Sequence, residues 1–448
     1  MNGQFDFLIV GDDEASLVAA AAAAKAGARV GLLAPADRRK RARAAAPAIP
    51  NFVWRRLDLQ DYDLTLEPVS ARITLFSDGE PISSFANARE TAEALAESDS
   101  PDHLIWRDFL DDMAALAADH VYGPSGFARA VNGSGAPSPD SKTFAALLSD
   151  PAALDRAARL FGPCTDILED YFSDARLKTH LAAHALGGVG RGEREAGSAA
   201  LLTELLDPDA WRVRTPKDGP ALSVVLEQVC QDAGVEISAD KPTQIVGAGK
   251  FATVSFGEEE KARVKHIFFA TPDAARLAGA ADRRGGLGQA AHADFIVRFR
   301  LNEGAEPPCG DARAIFQIID DREDLQAARD AALQGRLFDN LPVEFEFASN
   351  GEVIARSSFL PAAFYEEGEW RGWTGQDRQA AAAIIKDRLA SRMPGFASLI
   401  RRTETELGAP PVGASIFAGC DRVIVQPRRH NAISAAVKLI DQVMAGDE

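Results

Sequence analysis

The first thirty-five residues follow the pattern of a strand, a tight turn, a helix and a second strand. Residues 5–10 (FDFLIV) are nearly all apolar, as a parallel strand buried on both faces requires. Gly11 ends this run, and residues 14–26 are mostly Ala, Leu and Val, which predicts a helix. Gly27 stands where a left-handed helix stop belongs, and residues 30–33 form the second strand. Such a unit is typical of a dinucleotide-binding domain, in which the pyrophosphate lies at the helix N-terminus.

The turn of this unit departs from the G-x-G-x-x-G sequence of nucleotide-binding turns. One of the three glycines is present, because the six positions are Gly11, Asp12, Asp13, Glu14, Ala15 and Ser16. Asp13 puts a carboxylate where the pyrophosphate would lie, and two like charges about 4 Å apart repel by roughly 4 kcal/mol at an effective dielectric near 20. After the second strand, Ala34 and Pro35 replace the acid that bonds ribose hydroxyls. Both contacts to a dinucleotide are therefore altered.

Two roles are open for the acids of the turn. Asp12, Asp13 or Glu14 can cap the helix from within, because a helix N-terminus carries unpaired N–H groups and a partial positive charge. The same carboxylates could instead hold Mg²⁺, which would bridge to a phosphate. We favour capping, since acids in a first helical turn are common and need no metal. In that role the carboxylates of the protein occupy the site at the helix N-terminus that the phosphates of a cofactor would otherwise occupy.

Composition restricts the class of protein. A chain of 448 residues is too long for one core and predicts two domains. The net charge of −17 argues against nucleic acid as a partner, because binding phosphates needs a basic face. The 4 cysteines are far apart, which indicates a reducing cytoplasm without a disulfide framework or a zinc ribbon. We expect a cytoplasmic protein, since no signal sequence or run of about 20 apolar residues is present; peripheral membrane contact stays open.

The rest of the chain alternates predicted helices and strands. Periodicity and turn residues predict helices at 88–98, 101–120, 144–186, 221–233 and 376–393, and strands at 294–301, 341–347 and 353–360. Ser100 is expected to cap the second of these helices, because it precedes Pro101.

Three features have both a functional and a structural interpretation, and we favour the structural one in each. The basic segment 38–43 suits an NADP 2′-phosphate or a solvated loop. His180 and His184 have the spacing of metal ligands on one helix face, but no third ligand is obvious, so packed histidines are expected. Arg298 and Arg300 share one face of a predicted strand and suit an acidic ligand or a solvated sheet face.

Several segments together carry a resemblance to a known family. They are 17–21 (LVAAA), 216–219 (PKDG), 234–237 (GVEI), 270–272 (ATP) and 416–419 (IFAG), the last followed by a helix to Met444. In these segments the chain resembles the FAD-dependent oxidoreductases of the phytoene dehydrogenase and amine oxidase superfamily. It is most similar to the branch named for pyridine nucleotide-disulphide oxidoreductase domain-containing protein 2. The resemblance runs nearly end to end.

The resemblance implies an α/β fold, in which a glutathione-reductase-type FAD/NAD(P)-binding (Rossmann-like) domain carries an inserted α+β substrate-type domain. The first domain is expected at 1–70, 196–285 and 410–448, and the second at 71–195 and 286–409. The positions that match the FAD contacts of the family are Gly11, Asp12, Asp13, Ser16, Ala34, Asp218, Gly219, Gly419 and Asp421. Most of them are degenerate: Asp218 replaces a glycine, and the loop 420–427 contains none. No catalytic residue or metal ligand is indicated.

Departures at separate contacts to one ligand favour the loss of that ligand. The leading hypothesis is therefore a pseudo-oxidoreductase that has lost tight FAD binding, is not an enzyme on its own, and acts as a structural or regulatory partner. The resemblance implies a homodimer, or a heterodimer with a related active subunit. The alternative is an FAD-dependent oxidoreductase that holds flavin in an altered mode and oxidises an apolar substrate. A third hypothesis is binding of an apolar small molecule in the old substrate cavity.

Overall fold

The structure is a computed structural model of the chain. It describes residues 3–11, 14–34, 51–62, 64, 67–78, 80–98, 100–118, 155, 158–160, 162–206, 213–214, 222–240, 242–248, 251–256, 260–269, 292–302, 313–348, 351–407, 423–425, 437, 440 and 444. Six of the predicted cofactor-binding positions lie outside these residues, namely Asp12, Asp13, Asp218, Gly219, Gly419 and Asp421, as does the basic segment 38–43.

The helices of the described residues are mostly short. They are α1 (Glu14–Lys25), α2 (Asn51–Arg56), α3 (Ala88–Glu97), α4 (Trp106–Ala118), α5 (Cys164–Tyr171), α6 (Ala175–Leu186), α7 (Ala199–Leu206), α8 (Leu222–Asp232), α9 (Glu323–Leu333), α10 (Gly375–Arg392) and α11 (Phe396–Leu399). Single turns of 3₁₀ helix occur at Leu59–Tyr62, Pro101–Leu104 and Gly187–Val189.

The strands fall into two large sheets and two short pairs. They are β1 (Gly3–Val10), β2 (Val30–Leu33), β3 (Glu67–Pro68), β4 (Arg72–Leu75), β5 (Ile82–Ser84), β6 (Val213–Arg214), β7 (Glu236–Ser238), β8 (Pro242–Ala248), β9 (Phe251–Phe256), β10 (Glu260–Phe269), β11 (Ala293–Leu301), β12 (Ile315–Ile318), β13 (Val343–Ala348), β14 (Glu352–Leu360), β15 (Phe364–Glu366), β16 (Glu369–Arg371), β17 (Ile400–Leu407) and β18 (Val423–Val425).

The chain forms two compact units. The first comprises Met1–Pro68, Trp211–Gln289 and Pro411–Glu448, and the second comprises Val69–Ala210 and Ala290–Pro410. Residues 196–210, which sequence analysis assigned to the first domain, fall in the second unit, because α7 packs there against α4, α5 and α6.

The first unit is built on a sheet with the order β7-β2-β1-β10-β9-β8, and β18 also pairs with β10. β1 is parallel to both β2 and β10, while β8 and β9 form an antiparallel extension. The interior strands β1 and β2 are nearly all apolar, as burial on both faces requires. α1 packs on this sheet and on α8, and nine consecutive residues of α1 are buried. This is the glutathione-reductase-type dinucleotide-binding fold.

The second unit contains a seven-stranded sheet with the order β17-β11-β14-β13-β12-β4-β5. Its pairs are antiparallel except for β12 and β4, which are parallel. One face is apolar, and the aromatic rings of Phe295, Phe299, Phe316 and Phe345 are fully buried on it. This mixed sheet and its helices form the α+β substrate-type domain that interrupts the first unit in the sequence.

The predicted long helix over 144–186 is wrong in its second half, where two helices stand instead. Phe172 has extended dihedral angles, and the Oδ1 atom of Asp174 accepts hydrogen bonds from the first N–H groups of α6. Asp102 holds this break, because its carboxylate accepts the N–H groups of Ser173 and Asp174 at 2.9 and 2.7 Å. The Ser-Asp pair is thus a helix start, which the continuous apolar periodicity concealed.

The predicted cap at Ser100 also differs from the structure. Pro101 begins a single 3₁₀ turn, and α4 starts only at Trp106. The hydroxyl of Ser100 makes no capping bond and donates instead to Asp174, with an Oγ–Oδ2 distance of 2.7 Å. A tertiary contact has therefore replaced a local one.

The start of α10 is fixed by a cluster of charged hydrogen bonds. Thr374 and Asp377 form a capping box, in which each side chain accepts the backbone N–H of the other residue. Arg371 donates to both oxygens of Asp377 at 2.6 and 3.0 Å, and also to Glu366. These bonds, the Arg371 bond foremost, lower the pKa of the Asp377 carboxyl to about 2.

We predict that Asp377→Asn lowers the free energy of unfolding by about 1–2 kcal/mol at pH 7, the usual contribution of a helix cap with a charged hydrogen bond. Because the folded pKa is depressed from 3.8, this contribution is full above about pH 4 and is lost as pH falls towards 2. Urea unfolding of both proteins at pH 7 and pH 3 measures the difference. Glu366→Gln is the control, since Glu366 is exposed and its loss should cost less. A difference that does not shrink at low pH would contradict the prediction.

Candidate functional site

The carboxyl edge of the parallel strands in the first unit is the place where this fold binds ligands. From β1 the chain order runs to β2 and β7 on one side, and β10 and β18 lie on the other. The order of the strands therefore reverses beside β1, between β1 and β10. In open α/β sheets, ligands bind in the crevice outside the carboxyl ends at such a switch point.

Gly11 lies at this switch point, directly after β1. Its φ of 146° is in the region that side chains rarely adopt, so a glycine is needed here. The N–H of Gly11 donates to the carbonyl of Leu33 at 3.0 Å, which ties the turn to the end of β2. The next residue after β2, Ala34, is held in turn by a 2.8 Å bond from its N–H to the carbonyl of Ser238. The backbone at the edge is thus held by adjacent strands.

Ser16 occupies the position of the third glycine of the turn and is completely buried in α1. That glycine normally lets the helix approach the strand closely. The small side chain of Ser16 lies within the packed run Ala15–Ala23, so the close packing of α1 is kept without the glycine. On its other side α1 packs against α8, where the thiol of Cys230 donates to the carbonyl of Leu17 at 3.2 Å. Replacement of this one glycine therefore leaves the frame of the site intact.

The described residues fit one end of an FAD site and not the other. α1 begins at Glu14, three residues after Gly11, so its N-terminal N–H groups are at the carboxyl edge, where a pyrophosphate would bind. At the end of β2, Ala34 is 3% exposed and offers no side-chain oxygen to a ribose. Among the described residues, a helix N-terminus thus lies at the edge where this fold binds phosphates, and no carboxylate lies at the end of β2.

The structure brings together three of the predicted cofactor-binding residues. Gly11, Ser16 and Ala34 lie at or beside the carboxyl edge of β1 and β2. The other six lie outside the described residues. Sequence analysis missed a second set of polar residues, which the sheet of the second unit places on one face. The alternation of Glu344 and Glu346 with apolar residues in β13 was the available signal.

His180 is a structural histidine of the second unit. Its ring is 1% exposed, with Nδ1 2.8 Å from the hydroxyl of Thr74 and Nε2 3.0 Å from the hydroxyl of Ser84. The ring of His184 packs against it edge-on, with a centroid distance of 4.8 Å. Burial, aided by the nearby charge of Arg72, lowers the pKa of His180 to about 3, so the ring is neutral. Within the described ranges, no three His, Cys, Asp or Glu side chains are grouped to hold a metal ion.

The solvated face expected for Arg298 and Arg300 is only half correct. Both residues lie on the same face of β11, but Arg298 is 4% exposed and pairs with Glu406 at 3.5 Å. Arg300 is about half exposed and pairs with Glu352 at 2.9 Å. Both arginines lie between β14 and β17, Arg298 opposite Ile354 and Glu404 and Arg300 opposite Glu352 and Arg402.

Among the helices that the structure describes, none is both long and apolar enough to cross a bilayer.

Comparison with known proteins identifies the fold. The structure is similar to putrescine oxidase bound to putrescine, with a TM-score of 0.51, 15% sequence identity and 99% of each chain covered. It is similar to the same extent to a Rab GDI from Plasmodium falciparum, with a TM-score of 0.51, 9% identity, and 100% of this chain and 99% of the other covered. No protein-family model and no curated protein sequence matches the chain. The chain thus has the fold of the FAD-binding oxidoreductases.

We predict that Gly11→Ala lowers the free energy of unfolding by about 1–3 kcal/mol, because a side chain is strained at the positive φ of this position. Gly375→Ala is the matched control, since nothing lies within 4 Å of the added methyl group and the residue begins α10. We expect the control to be neutral or slightly stabilised. Chemical denaturation measures the free energy of unfolding of both variants. Equal changes would show that the backbone at position 11 does not require a glycine.

We predict that His180 makes the protein less stable as pH falls from 6.5 towards 3. The unfolded chain binds a proton there at about pH 6.5, whereas the folded ring, with its pKa lowered to about 3, does not. His180→Gln keeps a hydrogen-bonding side chain but cannot titrate, so its stability should fall less between pH 7.5 and pH 5 than that of the parent. Urea unfolding at the two values measures the slopes. Parallel slopes would mean that the ring titrates normally in the folded protein.

Proposed function

We propose that this protein binds FAD at the carboxyl edge of the parallel sheet in its first unit and acts as an FAD-dependent oxidoreductase. The observation that carries the proposal is the Gly11 turn. It lies at the switch point of a glutathione-reductase-type sheet, has a positive φ, and precedes the start of α1 by three residues. Similarity of fold over 99% of the chain to putrescine oxidase supports the same class.

The residues of this chain suggest an altered mode of binding. The N–H groups of the first turn of α1 would hold the pyrophosphate, and the missing side chain of Gly11 would let it approach. Ala34 cannot hold the ribose, and a lost hydrogen bond to a charged group weakens binding by about 1.5–3 kcal/mol. When bound, FAD would supply a two-electron acceptor for the substrate. The apolar substrate implied by the family resemblance stays a prediction.

A second candidate is a pseudo-oxidoreductase that does not hold FAD tightly and serves as a partner protein. It is favoured by the sequence of the turn, in which Asp12, Asp13 and Glu14 are consecutive acids. Their charges oppose a pyrophosphate unless the site rearranges. In this case the chain would form a homodimer, or a heterodimer with an active relative.

We predict that the purified protein contains flavin. The supernatant of heat-denatured protein should show flavin absorbance equivalent to one FAD per chain. If the cofactor is lost during purification, FAD added at 100 times its dissociation constant should stabilise the protein by about 2.7 kcal/mol, which a thermal-shift assay detects. If the protein shows neither bound flavin nor a thermal shift with FAD, the enzyme proposal is rejected and the partner protein is favoured.

We predict further that Asp13→Gly raises the affinity for FAD at least tenfold, because it removes a charge and a side chain from the pyrophosphate position. Asp78→Gly is the control, since Asp78 is an exposed acid in the turn between β4 and β5 of the second unit. Calorimetric titration with FAD measures both variants. An unchanged affinity of the Asp13 variant would show that the acid does not face the phosphates.

A further inference from the structure

The sheet of the second unit ends on one side in β17. This strand pairs with β11 on its inner side, and no other strand of the described residues pairs with its outer side. It is eight residues long, and most of these residues are exposed. The opposite edge of the same sheet is β5, which has three residues. A long edge strand offers a row of backbone N–H and C=O groups to a second strand, whereas a short one offers few.

β17 has few of the features that keep edge strands unpaired. Its sequence, IRRTETEL, contains no proline, glycine or lysine. The register to β11 shifts near its start, between the pairs Arg300–Arg402 and Leu301–Ile400, and residues 402–407 pair regularly. The regular part of β17 therefore suits a further antiparallel ladder on its outer side.

The side chains of β17 alternate between the two faces of the sheet. Thr403 lies opposite Phe299 on the apolar face. Arg402 and Glu404 lie on the other face, with an Nε–Oε1 distance of 3.1 Å, and their side chains are 65% and 31% exposed. A positive and a negative charge thus stand side by side along the edge, one on each side of Thr403 in the sequence.

The order of these charges selects one register for pairing of β17 with itself. Two copies related by a two-fold axis perpendicular to the sheet pair antiparallel, and one residue faces its own copy. If that residue is Thr403, each Arg402 faces a Glu404. If Arg402, Glu404 or Glu406 is central, it faces an identical charge, and centring on Thr405 sets Glu404 opposite Glu406. Only the register on Thr403 therefore joins opposite charges without a pair of like charges.

We propose that the protein forms a symmetric dimer, in which β17 pairs antiparallel with β17 of a second copy and the two Thr403 residues face each other. The seven-stranded sheets of the two copies then form one continuous sheet. Because Arg402 and Glu404 already adjoin within each strand, the two copies together form a ring of four alternating charges. Opposite charges and threonine pairs across strands both stabilise a sheet.

The charge of β17 favours a second copy as the occupant of this edge. The chain carries a net charge of −17, so two copies repel each other at long range. The charged side chains of β17 sum to zero; they are Arg401, Arg402, Glu404 and Glu406. Self-pairing therefore brings together two neutral strips, whereas a strongly acidic or basic strand of another protein would meet a like charge on β17.

This contact is independent of the cofactor. β17 and β11 both belong to the second unit, and the proposed flavin site belongs to the first. The inference names a surface for the dimer that the family resemblance implies, and it applies to an oxidoreductase and to a partner protein alike. A protein that binds no flavin but dimerises through β17 would reject the oxidoreductase and keep the dimer, and a monomer that binds FAD would do the reverse.

Sedimentation velocity of the full-length protein, from low to high micromolar concentration, tests the inference. We expect a dimer that dissociates on dilution, with or without FAD. Arg402→Glu puts a carboxylate opposite Glu404, and Glu404→Arg puts a guanidinium opposite Arg402, so each variant by itself should be monomeric. An equimolar mixture of the two variants should dimerise, because each carboxylate then faces a guanidinium.

Arg378→Glu is the matched control. Arg378 is exposed on α10, so the same charge reversal there leaves the edge unchanged and the variant should dimerise like the parent. Circular dichroism establishes that every variant is folded. A parent that stays monomeric would overturn the inference and leave the edge to a strand of another protein. Folded single variants that dimerise as tightly as the parent, or a mixture of them that stays monomeric, would also overturn it.

A cysteine at the centre of the register gives a second test that changes no charge. Thr403→Cys sets two thiols opposite each other, so mild oxidation should give a covalent dimer on a non-reducing gel. Thr405→Cys is the control, because position 405 faces position 401 in this register, and its two copies lie about 13 Å apart along the strands. Equal cross-linking of the two variants, or none in the Thr403 variant, would overturn the inference.

Discussion

The parallel pairing of β1 with both β2 and β10 is the constraint on which the first unit depends. It places the end of β1 at the point where the order of the strands reverses. The chain turns there and continues into α1, which covers the sheet. Gly11 makes that turn at a φ of 146°, and its N–H is bound by the carbonyl of Leu33. Because this backbone is held by strand pairing, a helix N-terminus stands at the sheet edge whichever side chains follow it.

This separates the two roles of a dinucleotide turn, which are to pack a helix and to admit phosphate. Ser16 is small enough to be fully buried where the third glycine would stand, so the packing role is met. The second role requires room for a negatively charged phosphate. The acids Asp12, Asp13 and Glu14 oppose such a charge, and Ala34 offers no side-chain oxygen to a ribose.

The second unit shows a different balance between burial and polarity. Its sheet has phenylalanines on one face and charged or amide side chains on the other, although much of both faces is buried. Some of the polar side chains have partners: His180 lies within hydrogen-bond distance of two hydroxyls, and Arg356 forms an ion pair with Glu344. Other buried polar atoms of the described residues have no hydrogen-bond partner, among them Oε1 of Gln317 and Nε of Arg356.

Local sequence determined much of this protein. The first βαβ unit, α8, α10 and the strands β11, β13 and β14 were all predictable, because their periodicity and turn residues act over a few neighbouring positions. The break at 172–174 and the burial of Arg298 were decided only by tertiary structure. Asp102 holds the first, and strands far apart in sequence supply the neighbours of the second. A side chain's neighbours across a sheet belong to distant segments, so no local pattern can specify them.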